Sequence, residues 1–147
     1  MKNRRGWRMV IALLAGIGPF HAHALCTDQR NPSVDTEFAD SDYVIAGRVL
    51  RQRYIRDPSD PQGYVATVYD VAPIRAFKGT PRPRLNVRSE NTTSRFPMVV
   101  GQTYLLFLQP GEKTEWFADN CGNSGEMSQS QPIMPRVLSL QKKRKGK

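Results

Sequence analysis

One long strand constrains this fold more than any other feature of the sequence. Residues 43–55 alternate as a strand that is apolar on both faces in its first half, whereas arginines take over beyond Val49. A strand of this kind enters a core and then leaves it again. Gly47, near its middle, predicts a bend or bulge, as expected where one strand serves two sheets of a small barrel.

A short helix is predicted immediately before that strand. Ser33 is a suitable N-cap, and the acidic residues of the first turn suit the positive end of the helix dipole. Val34 and Phe38 lie four residues apart, so they are expected to face the core together. The helix is predicted to end near residues 40–42.

Turn-forming residues divide the rest of the chain into further short strands. Four are predicted, at residues 64–74, 85–89, 104–108 and 114–118, and residues 136–141 add a short helix after an irregular connection. Five short strands separated by turns predict a mainly β fold, with a small antiparallel barrel as its leading architecture.

The first 24 residues have the composition of a cleaved signal peptide. Basic residues precede an apolar run at 9–20, and Ala22 and Ala24 stand where signal peptidase requires small residues. A membrane span is the rival interpretation, but the run has only 12 residues, well below the roughly 20 that cross a bilayer. We therefore expect an exported protein that begins at Leu25, with one domain at residues 25–126 and a connection and basic tail at 127–147.

Export would remove most of the chemistry available to the chain. Both histidines, His21 and His23, lie in the predicted signal peptide, so the mature chain has no imidazole for a nucleophile–base pair, a proton shuttle or a metal ligand. No two carboxylates stand out as a catalytic dyad. We expect no catalytic residue, no metal site and no cofactor.

The basic charge is concentrated at the two ends of the chain. The formal net charge is +9, but residues 25–141 contain 13 Lys or Arg and 13 Asp or Glu. The high pI therefore gives no support to a nucleic-acid-binding face. The tail could contact anionic lipid or lipopolysaccharide at about 1 kcal/mol per basic residue, or it could be a disordered solubilising end. Its basic residues are Lys142, Lys143, Arg144, Lys145 and Lys147.

Two cysteines, Cys26 and Cys121, remain after export. An even count in an oxidising compartment favours one disulfide. This bridge would close a loop of about 95 residues and contribute up to about 4–5 kcal/mol on the chain-entropy model. The alternative, a pair of reactive thiols, lacks both C-x-x-C spacing and an activating histidine.

Arginines and tyrosines mix on the exposed half of the long strand. Such mixtures hold single-stranded nucleic acid on some barrels, but the acidic neighbours and the predicted export argue against that partner. Arginines on the exposed end of a strand also discourage edge-to-edge pairing, which we prefer as the explanation. The residues concerned are Arg48, Arg51, Arg53, Tyr54, Arg56 and Tyr64.

Five motifs in a fixed order resemble a known family. They are Phe-Ala-x-Ser-Asp-Tyr-Val from Phe38, Ile-Ala-Gly-Arg-Val from Ile45, residues 71–79 ending in Phe-Lys-Gly, Gly-x-x-Tyr-Leu from Gly101, and Asn120-Cys121. The set is similar to that of the bacterial netrin-like domains, whose family includes the tissue inhibitors of metalloproteinases. The resemblance covers roughly residues 26–122. It implies a five-stranded OB-type barrel with a flanking helix, and a disulfide from the N-terminal segment to a late loop.

Inhibitory members of that family begin with Cys-Thr-Cys or Cys-Ser-Cys, and the first cysteine's amine and carbonyl chelate the zinc of the target. Here Cys26-Thr27 matches, but Asp28 replaces the second cysteine and Leu25 precedes the first. Cleavage after Leu25 would restore a cysteine N-terminus, although leucine is a poor cleavage residue.

The first interstrand loop, residues 57–63, is the other candidate contact surface, because this loop often binds ligands in OB-type barrels. Asp57 and Asp60 could hold calcium, but their spacing matches no EF-hand and favours turn geometry instead. The sequence thus predicts a non-catalytic module that binds another protein, with metalloproteinase inhibition as the alternative. Binding of an envelope surface or polyanion through the tail is a second alternative. Candidate contacts are Leu25, Cys26, Thr27, Asp57, Asp60 and Tyr64.

Overall fold

The computed structural model describes residues 32–118 and 120–146. The described chain forms α1 (Val34–Asp40), β1 (Tyr43–Arg56), β2 (Tyr64–Lys78), β3 (Leu85–Glu90), β4 (Thr103–Pro110), β5 (Glu115–Phe117), β6 (Gly125–Glu126) and α2 (Met134–Lys145). The predicted signal peptide and the candidate contacts Leu25, Cys26 and Thr27 lie outside these residues. Neither described helix has the length and apolar character that a membrane span requires.

Five strands close into a ring, which makes the fold mainly β as predicted. The hydrogen-bonded order is β1-β2-β3-β5-β4, and β4 returns to pair with β1, while the two-residue β6 lies on β4. The pairs are antiparallel except β3–β5, in which Val87 lies opposite Trp116 in a parallel register. The expectation of a wholly antiparallel sheet was wrong at this pair. Strand directions cannot alternate around a closed ring with an odd number of strands.

β1 is the strand on which the ring closes. It pairs with β2 along most of its length and with β4 on its other edge from Tyr43 to Arg48. Its register with β2 shifts between Ala46 and Gly47, which confirms the irregularity predicted there. A Cβ atom on Gly47 would lie 2.6 Å from Cγ1 of Val71, so the close approach of β2 favours glycine at this position.

Two apolar clusters lie on opposite sides of the sheet. Alternate residues point into the ring, where Ile45, Val71, Val87 and Leu106 belong to one buried cluster. The intervening residues point outward, and the helices cover those on the first half of β1, the end of β2 and β4. This outer cluster contains Phe38, Val44, Phe77, Leu105, Phe107, Met134 and Val137.

Both helices are fixed by local signals and by each other. Ser33 is the N-cap of α1 as predicted, because its Oγ accepts a hydrogen bond from the backbone N of Thr36 at 3.1 Å. The C-terminal helix is longer than the predicted 136–141, with Pro135 in its first turn. Arg136 of α2 forms an ion pair with Asp35 of α1, in which two guanidinium nitrogens each donate to one carboxylate oxygen. The segment expected to be a connection and tail therefore contributes a helix that packs on the ring.

Candidate ligand-binding face

The outer surface of β1, β2, β3 and β5 carries two cross-strand rows of side chains. In the first row Arg51, Asp70, Asn86 and Glu115 are successive partners across four strands. The second row runs through Arg53, Val68, Arg88 and Phe117. We define the charged face as Arg51, Arg53, Val68, Asp70, Arg84, Asn86, Arg88 and Glu115.

Asp70 holds two arginines on this face. Its Oδ2 lies 2.9 Å from a guanidinium nitrogen of Arg51 and 3.0 Å from one of Arg84. Desolvation by partial burial opposes ionisation of this carboxyl, but the hydrogen bonds from both arginines outweigh it, and the pKa of Asp70 is lowered. The two arginines are exposed at their outer ends, so the carboxylate fixes cations that still reach solvent.

Glu115, two strands further along the sheet on β5, also holds two arginines. Its carboxylate oxygens lie 3.1 Å from Arg53 and 3.4 Å from Arg88. Arg88 also contacts Glu90 at 2.5 Å, and that hydrogen bond is the main reason why the pKa of Arg88 is raised. Charge-assisted pairs of this kind hold the guanidinium planes in set orientations. The face therefore presents four arginines arranged by three carboxylates.

An aromatic cleft of about 340 Å³ opens at one end of the charged face. The rings of Tyr43 and Trp116 form its floor, with centroids 4.3 Å apart and planes tilted by 52°. Arg82 and Lys113 stand at its edge, from the segments that precede β3 and β5. We call this the Trp116 cleft, and its other lining residues are Arg84, Leu85, Asn86, Pro110, Gly111, Thr114 and Glu115.

A second cleft of about 270 Å³ adjoins the first along the face. Arg51, Arg53 and Asp70 line it, and Asn86 lines both clefts. The side chain of Asn86 is exposed and has no hydrogen-bond partner among the described residues. Because an amide both donates and accepts, Asn86 is a free polar contact at the centre of the face.

The predicted contacts in the β1–β2 loop have a different role. Asp57 Oδ1 accepts hydrogen bonds from the backbone N and Oγ of Ser59 at 2.8 and 2.7 Å, and these bonds lower the pKa of Asp57. Asp60 Oδ1 accepts from the backbone N of Gln62 at 3.0 Å. Both aspartates therefore shape the turn, as the sequence favoured. Within the described residues, no group of three or more His, Cys, Asp or Glu could hold a metal ion.

Tyr64 is fixed beside that loop. Its ring lies 4.8 Å from that of Tyr54, and its hydroxyl accepts a hydrogen bond from Arg95 at 3.0 Å. Tyr64, Asp57 and Asp60 line neither cleft of the charged face. The structure thus separates the predicted loop contacts from the clefts.

The arginines of β1 have individual partners that the sequence did not indicate. Arg48 Nε donates to the carbonyl of Gly101 at 3.1 Å, whereas Arg51 and Arg53 belong to the charged face. Sequence reasoning missed the contributions of β3 and β5, including Trp116. Alternation was the available signal, because the polar residues at 84, 86 and 88 alternate with Leu85 and Val87.

The predicted disulfide falls partly outside the described residues. Cys121 is half-buried in the loop between β5 and β6, which we call the late loop, whereas Cys26 is not among the residues described. Asn123, two residues after Cys121, donates a hydrogen bond through Nδ2 to the carbonyl of Pro32 at 2.9 Å. The late loop is thus joined to the chain six residues after Cys26. The Cys26–Cys121 bridge itself stays a prediction.

Comparison of the chain with models of protein families finds no match, and comparison with curated proteins finds none either.

Proposed function

We propose that this protein is an exported, non-catalytic binding module that recognises another protein through the charged face. The observation that carries this proposal is the ion-pair network of Asp70 and Glu115, which arranges exposed arginines on a rigid sheet beside an aromatic cleft. Arginine, tyrosine and tryptophan are the residues that contribute most binding energy at protein interfaces. Side chains that are already held in place also lose less entropy on binding.

We further infer that the ring is an OB-type barrel of the netrin-like kind. The strand order with its β3–β5 pair, the irregularity at Gly47 and the ordered motifs support this inference. In OB-type barrels the face of the second and third strands and the loop between the fourth and fifth commonly bind ligands. The charged face includes residues of β2 and β3, and Gly111, Lys113 and Thr114, between β4 and β5, line part of the Trp116 cleft.

Photo-cross-linking from three positions tests which surface binds a partner. In three variants a photoreactive residue replaces Asn86 on the charged face, Gln62 in the β1–β2 loop or Lys145 in α2. Each variant is mixed with proteins from the compartment into which the chain is exported. We expect a discrete cross-linked product from position 86. Its yield should fall when unmodified protein is added as competitor and when the salt concentration rises. Products from position 62 or 145 alone, or none from position 86, would overturn the proposal.

A second candidate function uses the basic end of α2. Lys142, Lys143, Arg144 and Lys145 are all exposed in its last turns, which favours contact with an anionic envelope surface. Sedimentation with vesicles that contain anionic lipid tests it. Binding that disappears in Lys142→Gln/Lys145→Gln protein, while the cross-link from position 86 persists, would assign the two surfaces separate roles.

A further inference from the structure

We propose that the Trp116 cleft binds an acidic segment of the partner polypeptide. Carboxylates of that segment would lie at Arg82 and Lys113, and an apolar side chain would pack on Trp116. This inference rests on the proposed function, because it assigns the chemistry of the partner at the charged face.

Unpaired cations distinguish the cleft from the rest of the face. Arg51, Arg53 and Arg88 already contact carboxylates. By contrast, no carboxylate of the described residues lies within ion-pair distance of Arg82 or Lys113, and both side chains are exposed. Their charges are therefore available to a ligand, and a ligand that carries carboxylates is complementary to them.

The floor of the cleft supplies an apolar surface between those cations. Trp116 and Tyr43 are half-buried, so part of each ring is open to the cleft, while Leu85 beneath is only 3% exposed. Two aromatic rings on a buried support suit an apolar side chain, since packing on them removes apolar area from water. Cation and apolar surface together favour a polypeptide with mixed acidic and apolar residues over a simple anion.

The turn between β4 and β5 fixes Lys113 at the edge of the cleft. Gly111 N donates to the carbonyl of Glu115 at 3.0 Å, and Glu115 N donates to the carbonyl of Glu112 at 3.0 Å. Lys113 has a φ of 56°, in the left-handed region that is uncommon for residues other than glycine and asparagine. The backbone position of this cation is thus set before a ligand arrives.

Two carboxylates favour a peptide over single-stranded nucleic acid. Asp70 lies on the adjoining part of the face and Glu115 lines the cleft itself. A nucleic acid carries a phosphate at every nucleotide and would bring negative charge close to both. A peptide can place its carboxylates at the two free cations and neutral amides near Asn86 and Glu115.

Trp116 provides the measurement. The chain has two tryptophans, Trp7 and Trp116, and Trp7 lies in the predicted signal peptide, so the fluorescence of the chain from Leu25 onward reports on the cleft. The probes are acetyl-Glu-Glu-Leu-Glu-Glu-amide, the same peptide with lysine in place of glutamate, and a thymidine oligonucleotide. We expect the acidic peptide to shift the emission of Trp116 in a saturable way, and the lysine peptide to leave it unchanged. Tighter binding of the oligonucleotide would overturn the inference.

Charge-matched variants locate the binding. Arg82→Gln/Lys113→Asn removes the two free cations, and asparagine is chosen because it tolerates a positive φ. Lys142→Gln/Lys145→Gln removes the same charge from α2. We expect Arg82→Gln/Lys113→Asn to lower the affinity for the acidic peptide about tenfold, and the control double variant to lower it less than about twofold.

If the two double variants lower the affinity for the acidic peptide equally, only net charge matters and the inference is overturned. If the cross-link from position 86 forms while the acidic peptide does not bind, the inference fails and the proposed function stands. If neither occurs, both fail.

Discussion

Glu37 accepts two hydrogen bonds from Asn123, one from its backbone N and one from its side-chain Nδ2, and both are 2.6 Å long. The contact joins α1 to the late loop across 86 residues of sequence. Gly122 lies between Cys121 and Asn123, and a Cβ atom at this position would overlap Glu37 Oε1. The carboxylate therefore occupies the space that a side chain at 122 would need. This contact holds the region of Cys121 against the start of α1.

Glu37→Gln tests the contribution of that contact to stability. The amide cannot accept both bonds with the strength of a carboxylate, and hydrogen bonds to charged groups contribute about 1.5–3 kcal/mol. We expect the free energy of unfolding in urea to fall by about 1–3 kcal/mol. Asp40→Asn at the other end of α1 is the control, because a negative charge near a helix C-terminus is unfavourable. A loss of stability as large in Asp40→Asn would contradict the assignment.

Gly47→Ala tests the close approach of β1 and β2. The added Cβ would meet Val71 Cγ1 at 2.6 Å in the filled interior of the ring. Overpacking of a core costs about 1–3 kcal/mol. We expect a lower thermal midpoint for Gly47→Ala, whereas Gly125→Ala, whose nearest neighbour would be Ser130 Oγ at 3.4 Å, should change it little. A thermal midpoint unchanged in Gly47→Ala would show that β2 yields readily.

Asp70→Asn tests the ion pairs of the charged face through their pH dependence. The folded protein lowers the pKa of Asp70 below its ordinary value of 3.8, since hydrogen bonds from Arg51 and Arg84 outweigh the desolvation. A lowered pKa gives stability that is present above the unfolded value and is lost as the pH falls through the folded one. The difference in unfolding free energy between wild type and Asp70→Asn should thus be largest near neutral pH and shrink below about pH 4.

Glu112→Gln is the control for that pH series. Glu112 is exposed and has no ion pair within the described residues. We expect its variant to follow the pH profile of the wild type. A difference for Asp70→Asn that stays constant from neutral to acidic pH would contradict the role given to the ion pairs.

The mass of the exported protein, measured with and without reduction, tests the predicted processing. We expect a chain that begins at Leu25 and has two hydrogens fewer than the dithiol, because Cys26 and Cys121 are predicted to form a bridge in an oxidising compartment. Two free thiols or a retained signal peptide would contradict the prediction. A chain that begins at Cys26 would instead support metalloproteinase inhibition of the netrin-like kind.

Local chemistry explains which elements the sequence could predict. The N-cap at Ser33, the irregularity at Gly47 and the turn formers between strands depend on residues close in sequence, and the helix α1 and the first five strands were found near their predicted positions. α2 begins two residues before its predicted start, where Met134 packs in the outer cluster, and it continues four residues beyond its predicted end. Those four residues are exposed lysines and an arginine, which have high helix propensity.

The charged face depends on which strands become neighbours, and periodicity does not contain that information. Arg53 and Glu115 meet across 62 residues only because β5 lies beside β3. The arginines of β1 could therefore be recognised as an exposed group, but not as members of an ion-pair network. The loop aspartates were predicted correctly for the same reason that α1 was, since Asp57 and Asp60 bond to residues two positions away.

A closed ring of five strands must contain at least one pair of parallel neighbours, and here that pair is β3 and β5. Two strands that run side by side in the same direction also start at the same end. The segments that lead into them, with Arg82 before one and Lys113 before the other, are therefore delivered to one place although 31 residues separate the two cations. In an even-numbered antiparallel ring, neighbouring strands start at opposite ends. The placement of the two free cations at the edge of one cleft is thus a consequence of the odd number of strands in the ring.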